Sequence, residues 1–287
     1  MKNRRDETIM LNLITQVAKN DERIKAVILN GSRASPSGLK DRFQDYDIVY
    51  LVTDIEPFVN DKKWIDQFGE ILIMQTPDEM DALWPDSKDK YTYLMLFTDW
   101  NRIDLTLMNI SQLTTMPRDS QSILLLDKEN LLTPFNPPTD NDYLPTPPSF
   151  KHFSNCCNEF LWVSTYVAKG LWRRQLLYAK HVSEQIVREE LLKMLLWYVG
   201  IKTGFNKPMG VYGKYIENYL EPSLWQDYLT TYVNADYKKM WASLFKMCEL
   251  FNEVAIKVSS HFDYPFDQKE FKKVVAYLQE VKNHASL

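Results

Sequence analysis

The 287-residue sequence has little cysteine and histidine, with three of the first and four of the second. Cys156 and Cys157 are adjacent and Cys248 stands apart, so there is no C-x-x-C pair and no even disulfide framework. That pattern reads as reduced thiols in a cytoplasmic protein. His152, His181, His261 and His284 are scattered, with no H-E-x-x-H and no Cys/His zinc spacing, so they read as structural or surface residues. The serines lack a G-x-S-x-G elbow, which leaves acyl-enzyme chemistry without support. A basic excess is also missing. The net charge is −4 and the pI about 5.7, which argues against a nucleic-acid backbone as the main partner and suits a cationic small substrate better. The longest apolar helical run, LLKMLLWYVG at 191–200, is too short to span a bilayer and carries Lys193, so no membrane partner is expected. The opening MKNRRDETIM is charged and has no signal-peptide core.

What remains is ordinary globular composition, 45% hydrophobic and 25% charged, in a chain long enough for two cores. Ile9, Met10, Leu13, Ile14 and Val17 mark a helix over 5–19. Strands follow at 27–30 and 45–52, a short helix at 58–68, a strand at 71–75, and a hairpin of 91–97 and 102–108 around TDWN. PFNPPTDNDYLPTPP then holds six of the fourteen prolines and cannot continue a helix or a central strand. Beyond it strand signals vanish, and helices are expected at 151–170, 172–200, 212–220, 222–230, 236–260 and 267–284. The expected class is α+β. A mixed β-sheet domain with flanking helices fills 1–133, a Pro-rich linker 134–149, and a helical bundle domain 150–287.

The stretch VILNGSRASPSGLKDRFQDYDIVYLV, Val27 to Val52, carries the chemistry. A strand ending in Gly31-Ser32 lets backbone N–H groups and a hydroxyl approach phosphate oxygens without interference from a Cβ. Asp45 and Asp47, at i and i+2 on the second strand, share a face about 7 Å apart along the chain. The apolar run Ile48 to Val52 behind them marks a strand covered on both sides. Two acids at the mouth of such a strand raise each other's pKa unless a cation sits between them. Asp104 alternates with Ile103 and Leu105 and adds a third acid from another strand. Three acids from two strands suit two Mg²⁺ ions, which clamp an in-line displacement at phosphorus. The plain alternative makes Asp45 a strand start, Asp47 a rim charge and Asp104 the ion-pair partner of Arg102. Arg33 reads either as a phosphate partner or as a loop arginine. Gly31, Gly38 and Lys40 do not make a Walker A motif, because the spacing is too long and Leu39 intervenes.

A second group lies on the first helix after the linker. At 100° per residue Glu159, Trp162, Tyr166, Lys169 and Arg173 form a stripe apart from Phe160, Val163, Val167 and Leu171. The aromatics suit a sugar or guanidinium, Glu159 a cationic substrate, and Lys169 with Arg173 a triphosphate. The alternative is a solvated face, with Gly170 ending the helix before Arg173.

Gly-Ser, twelve residues, Asp-x-Asp in apolar surroundings and a later Asp on a strand together resemble the nucleotidyltransferase superfamily of DNA polymerase beta. The runs NGSRASPSGLKDRFQDYDIVYLV, YLMLFTDWNRIDLTLM, ILLLDKENL and CCNEFLWVSTYVAKGLWRRQ are similar to the aminoglycoside 6-adenylyltransferases, from about residue 5 to 270. The resemblance implies transfer of AMP from ATP, with Mg²⁺, to a hydroxyl of streptomycin, and release of pyrophosphate. It also implies that Gly31 and Ser32 hold the β,γ-phosphates and that Asp45 and Asp47 ligate both metals. Asp104 then completes the metal set or accepts the hydroxyl proton. A monomer is expected, with ATP and a cationic aminoglycoside as its partners.

Overall fold

Asp6 accepts a hydrogen bond from the Ile9 amide and so opens α1 (Glu7–Asn20), which buries Met10, Ile14 and Val17. Ile9 itself stays at the exposed margin of that helix. The structure is a computed structural model and describes residues 4–80, 89–116 and 118–285. After α1 come β1 (Ile24–Asn30), β2 (Tyr46–Val52), α2 (Glu56–Asn60), β3 (Ile71–Gln75), β4 (Lys90–Phe97), β5 (Arg102–Asn109) and β6 (Ser122–Asp127). They build one mixed sheet in the order β3-β4-β5-β2-β1-β6. Only β2 and β5 pair in parallel, and the other neighbours are antiparallel.

The apolar run of β2 has its physical cause in that central position, with both faces covered. On one face Met10, Ile14, Phe58, Trp64 and Phe68 pack on Tyr46, Ile48, Tyr50, Ile103 and Leu105. The Tyr50 hydroxyl donates to the Ile14 carbonyl at 2.6 Å and fixes α1 to the sheet. On the opposite face Ala26, Ile28, Val49 and Leu51 lie under Ile110, Leu113, Met116, Leu132 and Phe135. Asn30, Asp47 and Asp104 continue that second face by the period of two and are only partly buried.

Two local expectations change. The helix expected over 58–68 is α2 followed by a 3₁₀ turn, Trp64–Phe68. Asp61 separates them, its carboxylate taking the Lys63 amide and its carbonyl the Trp64 amide. SILLLD at 122–127 is a sixth strand that the hydrophobic pattern alone did not separate from loop.

Contacts divide the chain between Asp142 and Tyr143, inside the Pro-rich stretch. The first part of that stretch is tied to the sheet unit: Oδ1 of Asp140 accepts from Ser35 Oγ and Gln121 Nε2, each at 2.7 Å. The second unit comprises α3 (Phe150–Trp172), α4 (Leu176–Val182), α5 (Arg188–Thr203), α6 (Pro222–Thr230), α7 (Tyr237–Phe262) and α8 (Gln268–Asn283). Ser149, Asp236 and Asp267 cap α3, α7 and α8 through their side chains. The core is aromatic and aliphatic, with Phe160 stacked on Phe251 at 3.9 Å. The helix expected over 172–200 is broken by a turn in which Arg174 has φ +61°, and a π-helical segment at 183–187 joins α4 to α5. The one expected over 212–220 is two 3₁₀ turns instead. Gly170 does not end α3, because its missing side chain admits the Tyr178 ring of α4, which a Cβ would meet at 2.8 Å. The three cysteines are buried, and burial pushes the thiols of Cys157 and Cys248 up to about 12, so they act as small apolar groups. Among the described residues no helix is long and apolar enough to cross a membrane.

Candidate active site

Strand register sets one row of side chains across the whole sheet. Ser122, Asn30, Asp47, Asp104, Leu94 and Gln75 stand opposite one another on β6, β1, β2, β5, β4 and β3. Residues paired in this way point to the same face, so Asp47 and Asp104 are neighbours across the parallel pair. Asn30 flanks Asp47 on the other side and accepts a 2.7 Å hydrogen bond from Ser122 Oγ.

The turn after β1 is built around Asp47. Gly31 has φ +71°, and a Cβ there would lie 2.3 Å from Asp47 Oδ2. The 3₁₀ turn Gly31–Arg33 presents Ser32 at the edge of the row. Gln44 Nε2 donates to the Ser32 carbonyl at 3.0 Å and so folds the 34–44 loop back onto the turn. Arg33 lies underneath. Its Nε donates to the Asp45 carbonyl at 3.0 Å, its Nη2 to the Gln44 carbonyl at 2.7 Å, and its guanidinium covers the Tyr46 ring at 3.8 Å. With 5% of its side chain exposed, Arg33 braces the loop that delivers Asp45 from beneath.

Asp45 precedes the first residue of β2, and Arg102 Nη1 lies 3.5 Å from its Oδ2. Arg102 also grips Asp104 with a two-pronged ion pair, Nε to Oδ1 and Nη2 to Oδ2, each 2.7 Å. The plain alternative for Asp104 is therefore present in the structure, and it coexists with the acidic row. Among the described residues Asp47 has no ion-pair partner. Burial first, then the charges of Asp104 and Asp45, raise its carboxyl to about 6. Burial and Asp104 also raise Asp45, against the opposing charge of Arg102.

Among the described residues no three His, Cys, Asp or Glu side chains converge into a formed metal centre. The donors nevertheless fit Mg²⁺. Carboxylates are the hard oxygen ligands that ion prefers, Asp47 and Asp104 stand opposite each other on the parallel pair, and burial with the charges of Asp104 and Asp45 raises the Asp47 carboxyl, a cost that a bound cation would relieve.

The residues expected on the helical side belong to α3 in the second unit. Trp162 Nε1 donates to the Tyr166 hydroxyl at 2.7 Å, and Lys169 Nζ lies 5.0 Å from the Tyr166 ring centroid. Those three form a continuous ledge. Glu159 is separate from it, lining a cavity of about 620 Å³ with Glu190, Lys193 and Trp197. Lys169 and Arg173 line another of about 430 Å³ against α8, so the structure divides the stripe between two cavities. Asn30, Gln44 and Arg102 were not marked as site residues from the sequence. Arg102 carried a usable signal, because it sits two residues before Asp104 and so shares its face.

The family described as streptomycin adenylyltransferase matches residues 4–281. The chain is 41% identical over 263 residues to an aminoglycoside 6-adenylyltransferase of Campylobacter jejuni, covering 91% of each sequence. It is 38% identical over 275 residues to one of Staphylococcus aureus, covering 94% of this chain and 98% of the relative. A crystal structure of an aminoglycoside 6-adenyltransferase from Bacillus subtilis is 33% identical, with a TM-score of 0.48 over 97% of this chain and 99% of that one.

Proposed function

The chain belongs to the streptomycin adenylyltransferase family, and from that premise we propose that it moves AMP from MgATP to the 6-hydroxyl of streptomycin, releasing pyrophosphate. The observation that carries this reading is the register of Asp47 opposite Asp104, with Gly31 closing on Asp47. A new bond forms between the acceptor oxygen and the α-phosphorus, and the bond from that phosphorus to the pyrophosphate oxygen breaks. The proton of the acceptor hydroxyl passes to a carboxylate of the row.

Asp45, Asp47 and Asp104 are the groups that would hold Mg²⁺, two ions in this reading. When bound, the metal supplies Lewis-acid stabilisation of charge on the reacting phosphate. Gly31 and Ser32 offer a backbone without Cβ hindrance and a hydroxyl to the β,γ-phosphates. We assign Arg33 to positioning, because its donors hold Gln44 and Asp45. Trp162 and Tyr166 give the acceptor an aromatic ledge, Glu159 meets its positive charge, and Lys169 serves the nucleotide's phosphates. The acidic overall charge suits a polycationic acceptor and no nucleic acid. We take the protein to be a monomer, and a cytoplasmic location accords with its unpaired, buried cysteines.

Pyrophosphate release from MgATP tests the proposal, with streptomycin as acceptor and spectinomycin, kanamycin and lincomycin as controls. Streptomycin-dependent release that EDTA and Asp47→Asn both abolish is the expected result. Release with another acceptor alone would keep the reaction class and remove the named substrate.

A further inference from the structure

Resting on that reading of the acidic row, we propose that Arg102 is its resident counter-cation. It occupies the cation position between Asp45 and Asp104 while the site is empty, and turns to the phosphates when the metal–nucleotide arrives.

Both oxygens of Asp104 are directed at the guanidinium, at 2.7 Å each, and a third nitrogen of the same group lies 3.5 Å from Asp45. Oxygens engaged in this way are not free to ligate a metal until the guanidinium turns away. Arg102 is also the arginine of this site that is able to move. Its side chain is 41% exposed, whereas Arg33 is 5% exposed and tied to two backbone carbonyls.

Space for the movement lies beside it. A cavity of about 440 Å³ opens over Ile73, Met74, Leu94 and Leu96, with Arg102 as a wall. Register places Arg102 opposite Leu96, so its methylene stem can lie along that apolar shelf while its head turns. The strand backbone keeps the head within reach of any phosphate held beside Asp104. Carboxylate and phosphate both accept the guanidinium fork in a two-pronged arrangement, so the exchange leaves no charge unpaired.

A thermodynamic coupling follows. A metal ion alone must break the Arg102–Asp104 pair without replacing it, whereas a metal accompanied by a triphosphate gives the freed guanidinium a new partner. Metal and nucleotide therefore strengthen each other's binding through Arg102, and the effect is reciprocal.

The test is Mn²⁺ binding followed by electron paramagnetic resonance, with and without a non-hydrolysable ATP analogue. Wild type is compared with Arg102→Met and Arg102→Lys, and folding is checked by circular-dichroism melting. Arg102→Met should bind Mn²⁺ alone about tenfold more tightly, the scale of one charge-assisted contact, and the analogue about tenfold more weakly. Arg102→Lys, which keeps the charge without the fork, should fall between. A role in fold alone would weaken both ligands together. If wild type binds Mn²⁺ with the analogue while folded Arg102→Met binds Mn²⁺ alone no better, the counter-cation proposal fails and the site reading stands. If neither protein binds Mn²⁺ under any condition, both fail.

Discussion

A Cβ placed on Gly31 would stand 2.3 Å from Oδ2 of Asp47, so the turn after β1 and the central acid of the row compete for one space. Gly31→Ala therefore has two costs. A left-handed residue other than glycine costs about 1 kcal/mol, and the new methyl displaces the carboxylate. The expected outcome is a loss of about 1–2 kcal/mol in urea unfolding, with kcat falling far more than that stability change would explain.

Asp47→Asn should separate chemistry from stability. Burial and two neighbouring acids raise the Asp47 carboxyl from 3.8 to about 6, so its ionised form opposes folding. The sign follows directly. A folded-state pKa above the unfolded one gives stability that is complete below about 4 and is lost as pH rises through about 6. In EDTA the wild type should lose stability between pH 4 and 7. Asp47→Asn should flatten that slope and be more stable at pH 8 by about 1–3 kcal/mol, while adenylyl transfer disappears. Denaturant titrations at several pH values provide the check.

Arg33 is the brace beneath the loop that delivers Asp45, with two carbonyls and the Tyr46 ring as its partners. Arg33→Met should cost about 1–3 kcal/mol, because two partly buried carbonyls lose charged donors. Lysine cannot reproduce the fork, so Arg33→Lys should recover only part of that loss. Melting curves on the two variants, beside KM for MgATP, would show whether the residue acts through the loop.

On the helical side, Trp162 and Tyr166 are joined by a 2.7 Å hydrogen bond, and Glu159 lines a separate cavity. Trp162→Ala and Glu159→Gln should each raise KM for streptomycin by about tenfold, the scale of one cation–π or charged contact. KM for MgATP should hardly change. An equal rise in both constants would remove these residues from the acceptor site.

Much of the architecture was written in local pattern. The apolar run after Asp47, the alternation around Asp104 and the prolines of 134–148 each express a local rule of strand burial, side-chain period or backbone restriction, and the structure obeys them. The closeness of Gly31 to Asp47 was not legible, because it depends on the pairing of β1 with β2. SILLLD was not, since a short apolar run becomes a strand only when β1 offers it an edge. Nor did the pattern over 212–220 reveal its turns, where Tyr212 and Gly213 both take positive φ.

The sequence by itself determined which residues carry charge and, for the acids of β2 and β5, which strands hold them, because side-chain period is a local property. Only the tertiary structure decided which charges meet. The parallel pairing of β2 with β5 set Asp47 opposite Asp104 across 57 residues of chain. Arg33 went beneath the loop while Arg102 stayed among the acids, so the two arginines have different tasks. The spacing of Arg102 from Asp104 hinted at their pairing, but the burial of Arg33 and the meeting of Asp47 with Asp104 rest on strand register and packing, which depend on residues far apart in sequence.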